Sequence, residues 1–160
     1  MNSEECRVKH PIAMKSATSS IPEGFSTITP YFAVPEADKL LNFLTQAFDA
    51  EVMHRHLRPD GKVAHAALRI GNATLMLGEL PPDRKPMLAM LYFYVADCDA
   101  TYRRAISAGA RSIMEPRDQY YGDRSAAVDD PAGNQWWIAT HTEDLSEAEL
   151  EARMKQNRPA

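Results

Sequence analysis

The tightest constraint on this chain is that its landmarks occur twice, in one order. A β-rich run ends at Val34, a helical stretch closes at Asp49-Ala50, and a Gly71-Asn72 turn leads into a short last strand. Val95, Gly109-Ala110 and Gly133-Asn134 hold the same places in the second half. Repetition at about sixty residues marks a doubled supersecondary unit. Whatever one unit folds into, the other must also fold into, and the local patterns say what that is.

In the first unit, Ser26 to Val34 is rich in strand-forming residues, with Pro30 marking an edge or a bulge. Ala37, Leu40, Leu41, Leu44, Ala47 and Phe48 recur at helical spacing and predict an amphipathic helix from Glu36 to Phe48. Strands at Ala50 to Leu57 and Lys62 to Ile70 flank an Asp60-Gly61 hairpin turn, and Ala73 to Leu77 is a third short strand. Glu79 to Pro86, with three prolines, reads as a linker. The order then repeats: a strand at Met87 to Val95, a helix capped by Asp97 and closed at Gly109, and strands at Arg111 to Met114, Ser125 to Val128 and Gln135 to Thr140. The expectation is an α+β fold of two tandem βαβββ modules, 25–79 and 87–142, in a domain spanning 25–144. An extended tail (1–24) precedes it, and a C-terminal helix from Ser146 to Lys155, with a Ser146–Glu149 capping box, lies in the closing segment 145–160.

Composition narrows the function. The chain has 160 residues, 44% hydrophobic, enough for one core. Its net charge of −4 and scattered Lys and Arg argue against a nucleic-acid partner. It has neither the apolar run of about 20 residues that a membrane span needs nor a signal peptide, so a cytoplasmic location and no membrane partner are expected. Cys6 and Cys98 read as unpaired thiols. A small organic ligand is the expected partner.

Ile-Thr-Pro-Tyr-Phe-Ala-Val, Ala-Phe-Asp-Ala-Glu, Asp-Gly-Lys-Val-Ala-His-Ala, Tyr-Gly-Asp-Arg-Ser, Asp-Pro-Ala-Gly-Asn and Ala-Thr-His-Thr-Glu-Asp together resemble the PhnB-like branch of the vicinal oxygen chelate superfamily. This is the glyoxalase, bleomycin-resistance and dioxygenase group, and the resemblance runs from Pro22 to Met154. It implies mixed sheets curled around a central cavity with helices outside, and a homodimer. In metal-dependent members, His, Glu or Gln residues of the first and last strands hold a divalent cation that polarises vicinal oxygens. Aligned on the landmarks, those four positions fall on Thr29, Met76, Met90 and Trp137, none of which suits zinc, nickel or iron. No cofactor is therefore expected at the usual position, and a displaced divalent metal is the alternative.

That alternative rests on histidines. With the hairpin turning at Asp60-Gly61, His56 stands across from His65 and the two-residue period adds His54, with Val52, Ala67 and Arg69 on the same face. This is either an ordinary pocket-lining sheet face or a site for a base or a metal, and His65 is the first candidate for a catalytic role. If Thr29 and Met90 point inward, so do Tyr31, Tyr92 and Tyr94, a lining suited to a flat organic ligand or simply a filled core. Trp137 would floor the cavity. Arg124 either grips a ligand carboxylate or pairs with Asp123 to tie strand to loop. Asp129-Asp130-Pro131 reads as a turn opener rather than a catalytic carboxylate pair. Two readings follow: a small-molecule-binding protein without the usual metal ligands, or a metal-dependent lyase, isomerase or dioxygenase with a displaced His-based site.

Overall fold

The doubling is realised strand for strand in a computed structural model that describes residues 17–157. The first module is β1 (Tyr31–Val34), α1 (Ala37–Phe48), β2 (Glu51–Leu57), β3 (Val63–Ile70) and β4 (Ala73–Glu79). The second is β5 (Met90–Tyr94), α2 (Cys98–Ser107), β6 (Arg111–Asp118), β7 (Asp123–Asp129) and β8 (Gln135–His141). A helix, α3 (Glu147–Gln156), follows. The strand orders are β1-β4-β3-β2 and β5-β8-β7-β6, with β1 parallel to β4 and β5 parallel to β8. Even the register repeats: Tyr31 pairs with Met76 and Tyr92 with Trp137, and bulges fall at Val52/His54 and Ser112/Met114. The Glu51–Arg69 ion pair across β2 and β3 recurs with its charges exchanged as Arg111–Asp129 across β6 and β7. Strand pairing stops at β1 and β5, so the curled mixed sheet is two separate four-stranded sheets and no barrel closes.

Each last strand caps its own module's helix. Glu79, at the end of β4, accepts the Ala37 N–H at 2.9 Å and the Glu36 N–H at 3.2 Å, satisfying donors that the first helical turn leaves free. Burial pushes its carboxyl pKa up, but these N–H groups and Lys62, 3.0 Å away, outweigh burial and lower it overall. Thr140 does the same for α2, accepting the Cys98 N–H at 2.9 Å. Glu79 therefore belongs to a strand and is buried, which shortens the expected linker by one residue.

One face of each sheet is covered by helices, and the two covered faces share one core. Phe32 stacks on Trp136 at 5.9 Å, while Phe48 at the end of α1 meets Phe93 at 4.8 Å and Trp136 at 4.9 Å. Burying such side chains contributes about 1.5–3 kcal/mol each, so the modules are held together chiefly by this aromatic seam. Among the described residues no helix or strand covers the opposite face of either sheet, where the first sheet is touched only at its Thr74 end by the turn at Gly24.

Three expectations need correction. The first strand begins at Tyr31 rather than Ser26, because the Ser26 hydroxyl donates to Ile28 O (2.6 Å) and Thr29 Oγ1 to Ser26 O (3.0 Å), holding the chain in a local turn. Strict alternation sets Val52 with the histidines and Met53 and Leu57 on the face a helix would cover, but the bulge puts Val52 opposite Leu68, on the helix side, and sets Met53 beside Thr74. Among the described residues no helix covers β2, and Met53 and Leu57 are exposed. The capping box of α3 forms, with the Ser146 N–H donating to Glu149 at 2.9 Å, yet this helix buries no residue. Among the described residues no helix is long and apolar enough to cross a membrane. Cys6 and most of the 1–24 segment lie outside the described residues.

Candidate functional site

On the uncovered face of the first sheet, the pairing of His56 with His65 and of His54 with Ala67 gathers the three histidines as the hairpin turn requires. The His54 ring lies 5.3 Å from His65 and 5.7 Å from His56. Tyr31 crosses β4 above Gly78 and stacks on His65 at 5.8 Å and 24°. A Cβ at position 78 would stand 2.6 Å from the Tyr31 hydroxyl and 2.7 Å from Ala64 O, so glycine is what lets the ring lie down. Burial, then the neighbouring His54 and His56, lower the pKa of His65 and keep it neutral near pH 7. Among the described residues no three His, Cys, Asp or Glu side chains converge as a metal site requires, and what the cluster presents is an imidazole base beside a stacking surface.

The corresponding face of the second sheet is organised by a buried carboxylate. Asp123, 3% exposed, receives the Tyr92 hydroxyl at 3.2 Å and the Tyr94 hydroxyl at 3.1 Å on Oδ2, and His141 Nδ1 lies 2.8 Å from Oδ1. Both tyrosines must cross β8 over Ala139, the counterpart of Gly78, to reach it. The Tyr92 hydroxyl lies 3.3 Å from that of Tyr121, and His141 Nε2 lies 3.1 Å from the exposed Asp144. The hydrogen bond to Asp123, then that to Asp144, raise the His141 pKa. Burial, then Tyr121 and Asp123, push that of Tyr92 well up, so the phenol stays protonated. The rings themselves remain open, Tyr92 being 42% and Tyr94 62% exposed. A cleft of about 420 Å³ runs beside them along the free edge of β5, bounded by the Gly71–Leu75 turn, Phe93 and Trp136.

Of the sequence-predicted residues, Tyr31, His54, His56, His65 and Met76 share the first uncovered face, and Met90, Tyr92, Tyr94 and Trp137 share the second. Trp137 is half-buried, and among the described residues its Nε1–H is the buried side-chain polar atom left without a partner. Thr29 precedes β1 and spends its hydroxyl on Ser26 O. Arg69 is engaged by Glu51 at the sheet edge and does not project free toward a ligand. Arg124 is the clear correction: strand alternation turns it to the helix side, where it binds Asp99 at 2.5 and 2.8 Å and Asp118 at 3.0 Å, not Asp123. Asp130 is a structural turn residue, buried and accepting from Ala132 N, Asn134 N, Asn134 Nδ2 and Trp136 Nε1.

Sequence reasoning missed the Asp123–His141 pair and Tyr121. The signal was present: a hairpin turning at 130–134 sets Asp129 opposite Gln135, and counting outward along both strands brings Asp123 opposite His141.

Comparison with known proteins agrees with this architecture. The family model described as Glyoxalase/Bleomycin resistance protein/Dioxygenase superfamily matches residues 25–138. An uncharacterized protein of Mycobacterium tuberculosis is 33% identical over 138 residues, covering 79% of this chain and 81% of its own length. In fold, the chain is similar to TioX from Micromonospora sp. ML1 (TM-score 0.63, 22% identity, 72% of this chain and 98% of that one). It is also similar to the PhnB protein of Bacillus cereus (TM-score 0.56, 16% identity, 72% and 99%). With the matched region running from the first module into the last strand of the second, and the strand order repeated in each, the chain belongs to the glyoxalase, bleomycin resistance protein and dioxygenase superfamily.

Proposed function

We propose that this chain is a small-molecule-binding protein of the PhnB-like kind, whose ligand lies on the uncovered sheet faces and is not held through the superfamily's metal. The observation that carries the reading is the occupancy of those faces. The positions that the resemblance gives to a cation's ligands carry Thr29, Met76, Met90 and Trp137, and exposed Tyr31, Tyr92 and Tyr94 share the faces of the last three. Aromatic faces of this kind hold a flat organic molecule by stacking, and the unpartnered Trp137 Nε1–H calls for an acceptor on it. His65, neutral and beside Tyr31, is the residue best placed to accept a proton from such a ligand. The reading includes a homodimer. Exposed apolar side chains such as Met87, Leu88 and Ile113 outside the tyrosine corner support a second copy of the chain as partner.

A thermal-stability screen of small aromatic compounds beside nickel, zinc and iron salts tests this. A true ligand at about a hundred times its Kd stabilises by roughly 2.7 kcal/mol, and His65→Ala should weaken that response. Stabilisation by one of the metals, lost in His54→Ala, would instead favour the displaced-metal enzyme.

A further inference from the structure

We propose that the Tyr92–Tyr94–Asp123 surface of the second module is a site for an organic cation, an alkylated or protonated amine, with Asp144 and His141 at its rim. The inference rests on reading the uncovered faces as ligand surfaces and names the charge of what they take. Both phenols donate to one buried carboxylate, which leaves no hydroxyl hydrogen pointing outward and makes the rings richer in electrons. The ring centroids are 5.3 Å apart with planes at 55°, two walls of a corner, and Tyr121 approaches from the turn before β7.

The charges around this corner decide the sign of the ligand. Asp123 on β7 and Asp144 in the segment after β8 are acidic, and Glu143 is engaged by Arg153 of α3. Arg124 faces the other side of the sheet, and Arg117 lies opposite Ser125 on the strand beyond. Among the described residues, Arg111 on this face is held by Asp129, which leaves Arg117 and, when it carries a proton, His141 between the two carboxylates as the positive charge near the corner. Once His141 is neutral, a carboxylate ligand would meet this acidic pair without its screening. An organic cation does for the pair what a proton on His141 does. When His141 loses that proton, Nδ1–H stays on Asp123, Nε2 becomes an acceptor facing an anion, and Asp144 is released to the ligand. Binding should therefore strengthen as pH rises through the folded-state pKa of His141, and bound cation should lower that pKa.

Titration of the full chain with phenyltrimethylammonium, its neutral isostere tert-butylbenzene, and benzoate, followed by NMR at about pH 6 and about pH 8, tests the proposal. The ammonium compound should shift resonances of Tyr94 and His141 and bind about tenfold more tightly than the isostere, and more tightly at the higher pH. Tyr94→Leu, which keeps apolar area but removes the ring, and Asp144→Asn, on a fully exposed side chain, should each weaken it several-fold. If the isostere or benzoate binds the uncovered faces as well as the ammonium does, the cation site is overturned while the small-molecule reading stands. If no probe shifts any residue on either face, both fall.

Discussion

Replacing Asp123 with Ala removes the group on which the second uncovered face is built. Its carboxylate is 3% exposed and takes two phenol hydrogen bonds on Oδ2. A hydrogen bond to a charged acceptor contributes about 1.5–3 kcal/mol, but the phenols are half-exposed and water can replace the lost acceptor. Taking the low end for each gives a loss of roughly 2–3 kcal/mol, a fall in Tm of roughly 5–10 °C for a chain of this size. The His141 contact is solvent-exposed and is left outside this figure. Denaturant unfolding followed by the fluorescence of Trp136 and Trp137 measures the change. In a Tyr92→Phe/Tyr94→Phe background, where the donors are already gone, the same replacement should cost less than about 1 kcal/mol. A loss below about 0.5 kcal/mol in the parent, or full additivity in the cycle, would refute the claim that this carboxylate organises the tyrosines.

Three further outcomes are expected. Gly78→Ala places a methyl against Tyr31 and the Ala64 carbonyl, and because backbone cannot swing aside it should cost roughly 1–3 kcal/mol in urea unfolding, only partly recovered by Tyr31→Phe. Asp130→Ala strands the Trp136 and Asn134 donors in the core and should cost roughly 3–5 kcal/mol, read in the same assay. By NMR, His65 should titrate below and His141 above the ordinary value of 6.5. His141's stabilising contribution is full below that value and is lost as pH rises through its raised folded pKa. His65 costs stability as pH falls from the ordinary value through its lowered folded pKa, so His65→Gln should flatten the acid side of the stability curve.

The module order was legible because duplicated turns, caps and helical spacing are local signals, and each is repeated once as its own control. The histidine face was legible for a similar reason: the Asp60-Gly61 turn leaves one register, and His56 opposite His65 follows. What escaped were places where one side chain or one extra residue overrides a period. The hydroxyls of Ser26 and Thr29 delay the start of the strand, and the bulge at Met53 exchanges faces with Val52; Arg124 is the opposite case, obeying alternation to the helix side where its sequence neighbour Asp123 faces the site. The exposure of β2 depends on how far α1 reaches across the sheet, which no spacing along the chain reports.

Hydroxyl-radical footprinting, with and without the small-molecule fraction of a cell extract, is the most direct test of where this protein binds. Protection should concentrate on Tyr31, Met90, Tyr92 and Tyr94, with Tyr102 and Met154 on the helices unchanged. Protection of the helices with those four tyrosine and methionine side chains left open would contradict the placement of the ligand on the uncovered sheets.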